Sequence, residues 1–186
     1  MPSAVNVTAG KPNIAGAIYR AAYGTTLPTS TTASLDAAFE EMGYASEDGV
    51  TNTNSPETEN IRAWGGDVVL TVQNSKDDTF KIKLIEALNE DTLAAVYGSA
   101  NVSGTLSTGI TVNVNADEAE EASWVIDMIM RNGAAKRIVI PDAKITEVGD
   151  IVYADNAAVG YEITLTAMPD SSGNNHYEYI KEAVSQ

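Results

Sequence analysis

Alternation of apolar and polar residues with a period of two is the feature that most restricts the fold of this chain. It recurs in four segments, residues 67–73, 79–84, 110–115 and 158–167. Side chains point alternately to the two faces of a strand, so each segment predicts a strand with one apolar face. Antiparallel sheets commonly pack such a face on a core. We therefore expect a mainly β fold built on an antiparallel sheet.

The residues predicted to face the core alternate along these four segments. They are Val68, Leu70 and Val72; Phe80, Ile82 and Leu84; Ile110, Val112 and Val114; and Val159, Tyr161, Ile163 and Leu165.

A hairpin is predicted over residues 128–140. Asn132-Gly133 suits the two positive-φ positions of a type I′ turn. Pro141 has no N–H for a ladder, so we expect the strand to end there or to lie at an edge. The acidic run before Ser123 could begin a helix, but the alternation from Trp124 favours a strand from Ser123.

One helix is predicted near the middle of the chain. Asn89 is a suitable N-cap, and Glu90 and Asp91 suit the positive end of the helix dipole. Gly98 can end the helix in the left-handed conformation. We expect this single helix to pack against the sheet.

Three regions lack periodicity, and we expect one domain over residues 1–186 that carries them. They are an N-terminal arm over residues 1–15, a long connector and stacking loop over 25–59, and a C-terminal segment over 171–186. Loops longer than about 15 residues are uncommon in compact domains unless they are functional or disordered. These regions are therefore predicted to become ordered on a partner.

Charge and composition narrow the possible partners. The formal net charge of −15 repels phosphate, so tight binding to nucleic acid is not expected. The stretch 21–73 holds eight carboxylates and a single basic residue, Arg62, which is typical of a surface that contacts protein. No run of residues is long and apolar enough to span a bilayer. The N-terminus does not resemble a secretory signal, so we expect assembly in the cytoplasm.

Residues that carry chemistry are scarce. There is no cysteine, and the single histidine, His176, is predicted to be an exposed residue of the C-terminal tail. The acidic run at residues 117–121 does not follow the spacing of a calcium loop. Nucleophile-elbow and phosphate-binding motifs are absent from the sequence. We expect no enzyme activity, no cofactor and no dedicated metal site, although an incidental calcium stays open.

An ordered series of motifs resembles the major tail tube proteins of bacteriophages with long, non-contractile tails, particularly those of Gram-positive hosts. The motifs are GTTLP at 24–28, LDAAF at 35–39, GYASEDGV at 43–50 and IRAWGGD at 61–67. The last of these is also predicted to form a hairpin turn at Trp64-Gly-Gly. Segments 123–153 and 160–180 resemble the family too, so the similarity runs from about residue 16 to 180.

The resemblance implies an antiparallel β-sandwich or barrel-like tail tube fold with one flanking α-helix and long extended arms. It also implies hexameric rings that stack into a virion tail tube, through which DNA passes without specific binding. The partners implied are further copies of the chain and other tail proteins such as the tape measure, terminator and distal tail proteins.

We expect the loop at residues 43–59 to carry the contacts between rings. Its acids are candidates for salt-dependent pairs across that interface: Glu47, Asp48, Glu57 and Glu59. The alternative is a monomeric β-sandwich binding module, such as a carbohydrate-binding or adhesin-like domain. A hydrolase that uses a pair of carboxylates is a more distant third possibility.

Overall fold

The strands follow the predicted period of two. A computed structural model describes residues 2–13 and 17–182. In these residues the elements are β1 (Gly10–Pro12), β2 (Ile18–Ala22), β3 (Glu40–Glu41), β4 (Ala45–Arg62), β5 (Val68–Leu84), α1 (Glu90–Tyr97), β6 (Val102–Ser103), β7 (Thr111–Val112), β8 (Glu121–Met130), β9 (Ala135–Val148), β10 (Tyr161–Ala167) and β11 (Tyr177–Lys181). Along β10, Tyr161, Ile163 and Leu165 are buried, while the residues between them are partly exposed. The prediction of a mainly β, antiparallel fold with one helix is confirmed.

The main sheet closes on itself. Across the described residues it has nine strands, with the order β3-β2-β8-β9-β10-β5-β4 and with β1 on β8 and β11 on β9. Its two outer strands, β3 and β4, are consecutive in the chain. Between them, Met42 N donates to Ile18 O at 2.8 Å on β2, and Tyr44 O accepts from Ile85 N at 2.9 Å just after β5. The segment between β3 and β4 therefore joins both edges, which makes the sheet barrel-like.

The core lies inside this closed sheet. Its largest fully buried side chains come from β5, β8, β9 and β10, together with Met42 from the closing segment: Trp124, Phe80, Met42, Ile82, Leu84, Ile126, Ile140, Ile163 and Leu165. The inward positions predicted for β5 from Phe80 onward and for β10 from Tyr161 onward are thus confirmed.

Helix α1 begins and ends at the predicted residues, but Gly98 does not have the predicted left-handed helical conformation, because its ψ is 138°. Asn89 Oδ1 accepts hydrogen bonds from the backbone N–H groups of Asp91 and Thr92, at 2.9 and 3.4 Å. Gly98 follows the last helical residue with φ 91°, and its N–H donates to Ala94 O. Leu93 is buried in the same core as the strands, so the helix packs on the sheet as expected. None of the described helices is of the length and apolarity needed to cross a membrane.

The hairpin β8–β9 is confirmed, but two details of its prediction are wrong. Asn132 does not have a positive φ, and the turn uses Gly133 alone, at φ 86°. Strand β9 also continues through Pro141 as a central strand, paired with β8 on one side and with β10 and β11 on the other. The register shifts opposite Pro141, and Ser123 Oγ donates to Pro141 O at 2.7 Å. A bulge therefore accommodates the missing N–H.

The regions predicted to lack regular structure contain four strands. β1 pairs with β8, β3 pairs with β2, β11 pairs with β9, and β4 pairs with β5 along its length. Polar strands of this kind have no apolar alternation, so the pattern did not reveal them. Parts of the two terminal predictions, residues 1, 14–15 and 183–186, lie outside the described residues.

Two predicted apolar faces differ from expectation. Val68, Leu70 and Val72 belong to β5, but they are 47%, 53% and 38% exposed, because this part of β5 lies beyond the core. The predicted strand at 110–115 is reduced to β7, which pairs only with β6, and Val114 is exposed.

Candidate assembly surfaces

A long hairpin projects from the closed sheet. Strands β4 and β5 stay paired from Asn54↔Asp78 out to Arg62↔Val68, and this stretch of β5 spans roughly 30 Å. Asp78 is fully buried, whereas nearly every residue between Ser55 and Asp77 is exposed. We call residues 55–77 the projecting hairpin. The predicted turn at Trp64-Gly-Gly is confirmed.

Apolar side chains are concentrated on the outer half of the projecting hairpin. They are Ile61, Trp64, Val68, Val69, Leu70 and Val72. Ile61 lies directly opposite Leu70, so these two share a face of the hairpin. An isolated two-stranded hairpin has no core of its own, so these exposed apolar groups form a candidate contact surface.

The four predicted assembly acids do not form one cluster. Glu47 and Asp48 lie in a bulge near the start of β4, between the pairs Ala45↔Leu84 and Val50↔Ile82. Glu57 and Glu59 lie on the projecting hairpin, roughly 30 Å away along the strands. The sequence suggested a single loop, but the extended strand separates the two pairs.

All four acids are exposed, and three of them accept hydrogen bonds from uncharged side chains. Glu57 and Glu59 accept hydrogen bonds from Ser75 Oγ at 3.2 Å and Asn74 Nδ2 at 3.4 Å. Asp48 accepts from Ser46 Oγ at 3.1 Å. In the described part of the chain none of the four takes part in an ion pair, so their charges are available to a neighbouring molecule.

Two of the cavities formed by the described residues open on the surface of the closed sheet. One, of about 920 Å³, lies between β1 and the start of β4, and Lys11, Glu47, Asp48, Met128 and Lys136 are among its lining residues. The other, of about 860 Å³, is mostly apolar and is lined at the end of β5 by residues that include Ile85, Leu88, Leu106, Tyr153, Val159 and Tyr161. We call the second cavity the apolar pocket. Neither contains His176.

His176 is not the exposed tail residue that was predicted. Its side chain is 16% exposed, and its Nδ1 lies 2.5 Å from Oδ2 of the fully buried Asp78. Asn52 Nδ2 donates to the other oxygen of this carboxylate at 2.8 Å, and the imidazole packs edge-on against Phe80. These contacts hold the chain just before β11 against the base of the projecting hairpin. A tail segment without periodicity carried no signal for this contact.

The connector over residues 25–39 is held to the outside of the sheet. Arg137 on β9 pairs with the directly opposite Asp127 on β8 through two bonds, Nε–Oδ1 at 2.6 Å and Nη2–Oδ2 at 2.7 Å. Its Nη1 donates to the backbone oxygens of Ser30 and Ala33, at 3.0 and 2.7 Å. The arginine therefore binds the connector to the strands beneath it.

Two carboxyl groups have pKa values that their surroundings shift. Hydrogen bonds from Ser99 and pairing with Arg20 hold the pKa of Glu120 below its ordinary value, against the effect of burial. Burial, with Glu121 nearby, raises the pKa of Asp142. Among the described residues, no three histidine, aspartate or glutamate side chains are grouped closely enough to hold a metal ion.

Comparison with known protein families gives one match. The family described as phage tail tube protein matches residues 5–186. No curated protein matches the sequence. Because the family match covers nearly the whole length, the chain belongs to the phage tail tube protein family, whose members are structural components of the virion tail.

Proposed function

We propose that this chain polymerises as stacked hexameric rings into the tail tube, and that the tube conducts DNA during ejection. The observation that carries the proposal is the projecting hairpin, which extends roughly 30 Å past the core with apolar side chains exposed on its outer half. Exposed apolar side chains do not stabilise a monomer. Burial against neighbouring copies removes their apolar area from water. Family membership supports the same role.

The negative charge suits a conduit for DNA. Six chains at −15 each carry −90 per ring, so a lumen lined with part of this charge repels the phosphate backbone. Screening over roughly 8 Å at physiological salt restricts the repulsion to the layer next to the wall. DNA then passes without specific binding.

The stacking contacts are proposed to involve residues 43–59 and their acids. Glu57 and Glu59 on the projecting hairpin reach a neighbouring ring, whereas Glu47 and Asp48 lie beside the cavity at β1. Each pair is proposed to meet basic groups of another copy. Because the pairs are exposed and carry no internal ion pair, their contribution should fall as salt rises.

The place of assembly, the host and the protein partners are proposed together with this role. The tube is proposed to assemble in the host cytoplasm, with a Gram-positive host, and to meet tape measure, terminator and distal tail proteins at its ends and in its lumen.

Electron microscopy of the purified chain over a range of concentrations tests the proposal. We expect rings or tubes from the wild type. A shortened variant tests the role of the projecting hairpin. It replaces residues 56–76 with Asn-Gly, which keeps the Ser55↔Asp77 pair and closes the strands with a two-residue turn. This variant should keep a circular dichroism spectrum of β type and a cooperative unfolding transition, and it should form no tubes. Deleting residues 43–59 instead would remove the segment that closes the sheet, so it cannot isolate the assembly surface.

Two outcomes would contradict the proposal. A wild-type chain that stays monomeric at high concentration and in high salt would favour the monomeric binding module. Tubes from the shortened variant would refute the role of the hairpin. The double variants Glu57→Gln/Glu59→Gln and Glu47→Gln/Asp48→Asn, each compared at low and high salt, separate the two acid pairs.

A further inference from the structure

The tip of the projecting hairpin presents a tryptophan on a fixed turn. The Trp64 side chain is 107% exposed, beyond its reference value in an open peptide. Ala63 closes the turn with bonds to Asp67 O at 2.8 Å and from Gly66 N at 3.0 Å, and Arg62 Nη1 donates to Gly66 O at 2.9 Å. Because these bonds already fix the backbone, docking of the side chain does not have to order the turn. Tryptophan is also enriched among the residues that dominate binding energies.

The apolar pocket has the size and lining to receive such a side chain. Its volume is about 860 Å³, and its lining is mostly apolar. Leu88, Leu106 and Tyr153 around it are 66%, 64% and 76% exposed. Three large exposed apolar side chains around one pocket are unusual on a surface that always faces water.

The tip and the apolar pocket lie at opposite ends of the same strand. β5 begins beside the tip at Val68 and ends at Leu84, and Ile85 of the pocket follows directly. Its 17 residues span about 55 Å. Trp64 therefore cannot enter the pocket of its own chain. A contact between different surfaces on two copies is head-to-tail, and repetition of such a contact builds an open stack.

Charge also matches between the two surfaces. Arg62 is the basic residue next to the tip, and Glu86 lines the apolar pocket. Glu90, whose Oε1 accepts from Leu106 N at 3.2 Å, adds a second carboxylate there. Asp67 on the tip opposes this match.

We infer that Trp64 of one copy fills the apolar pocket between Leu88, Leu106 and Tyr153 of a copy in the next ring. The inference rests on the proposed function and names the contact that joins one ring to the next. A buried tryptophan contributes about 150–250 Å². This is well below the roughly 800 Å² per partner of a stable pair, so one contact alone does not hold two chains together. Contacts repeated around a ring act together, which makes stacking cooperative.

Disulfide trapping tests the contact directly, because the chain has no cysteine of its own. A mixture of the single variants Ala63→Cys and Ala158→Cys, assembled and then oxidised, should give the mixed covalent dimer. Ala63 precedes Trp64, and Ala158 lines the apolar pocket, so both substitutions leave the proposed contact in place. The control mixture pairs Ala63→Cys with Ile180→Cys, because Ile180 is also exposed but lies on β11. We expect at least about a tenfold higher yield from the Ala158 mixture.

Tryptophan emission and the critical concentration give independent measurements. Trp124 is 1% exposed in the core, so a change in emission on assembly reports on Trp64. Wild-type emission should shift to the blue and become protected from iodide, and Trp64→Phe should lose this change while still assembling. Trp64→Ala should raise the critical concentration at least about 30-fold.

The outcomes separate this inference from the proposed function. Tubes with no link between positions 63 and 158 above the control, and with Trp64 still open to iodide, would overturn the contact and leave the tube role intact. Neither tubes nor the link at any concentration would overturn both. Tubes together with the link and the protected emission would establish the contact.

Discussion

Replacing Arg137 by methionine tests how the connector over residues 25–39 is held. In the wild type the guanidinium makes four hydrogen bonds, two to Asp127 and one each to the backbone oxygens of Ser30 and Ala33. The side chains of Arg137 and Asp127 are only 8% and 11% exposed. Methionine keeps a similar length but removes the charge and every donor.

The expected loss follows from the groups that remain. The variant leaves the Asp127 carboxylate buried without its partner, and removing one member of a buried ion pair costs about 3–5 kcal/mol of unfolding free energy. The oxygens of Ser30 and Ala33 also lose donors, but part of this cost is recovered where water reaches the connector. We therefore expect a loss of about 4 kcal/mol. The double variant Asp127→Leu/Arg137→Met removes the unpaired charge and should recover about half of the loss.

Urea unfolding of the unassembled chain measures these differences. The matched control is Lys136→Met, because Lys136 is the neighbouring cation and its pair with Glu178 is more exposed, at 20% and 39%. Its expected cost is below about 1 kcal/mol. Hydrogen exchange should increase over residues 25–39 in Arg137→Met alone. A loss of under about 1 kcal/mol for Arg137→Met, with unchanged exchange, would refute the reasoning.

Two further predictions concern other buried contacts. Glu120→Gln should cost about 1 kcal/mol at pH 7, at the low end for charged hydrogen bonds because the carboxylate is 40% exposed. The folded-state pKa of Glu120 is below 4.5, so its stabilisation is complete above pH 4.5 and is lost as pH falls through the folded-state value. Urea midpoints of this variant and the wild type should converge in acid, and a constant gap would contradict the assignment. His176→Leu should cost about 2–3 kcal/mol, because it leaves the fully buried Asp78 with Asn52 as its remaining side-chain partner. His176→Asn retains a donor and should cost less, whereas equal costs would show that the contact with Asp78 is not what matters.

Local patterns predicted much of the closed sheet. Alternation located β10 and the inner part of β5, the capping residue located the start of α1, and Trp64-Gly-Gly located the hairpin turn. These signals are properties of a few adjacent residues, so one sequence is enough to read them. The turn at Gly133 and the bulge at Pro141 differed from prediction, because the register of β8 against β9 decides both.

The sequence did not predict the geometry of the candidate site. The proposed assembly residues of segment 43–59 remain a prediction, and Glu47 and Glu57 are far apart because β4 is extended. Val68, Leu70 and Val72 have the sequence pattern of a core strand. That pattern does not reveal that the three side chains are exposed. An apolar stripe looks the same whether its partner belongs to the same chain or to another one.

The amino-acid sequence by itself determined the β class, the single helix, the scarcity of catalytic groups and the resemblance to tail tube proteins. Each depends on composition or on short-range spacing. Only the tertiary structure decided that the segment between β3 and β4 closes the sheet, that His176 meets Asp78, and that the tip and the apolar pocket lie at opposite ends of β5. These are contacts between residues far apart in the chain, and they exist only once strand order and register are set.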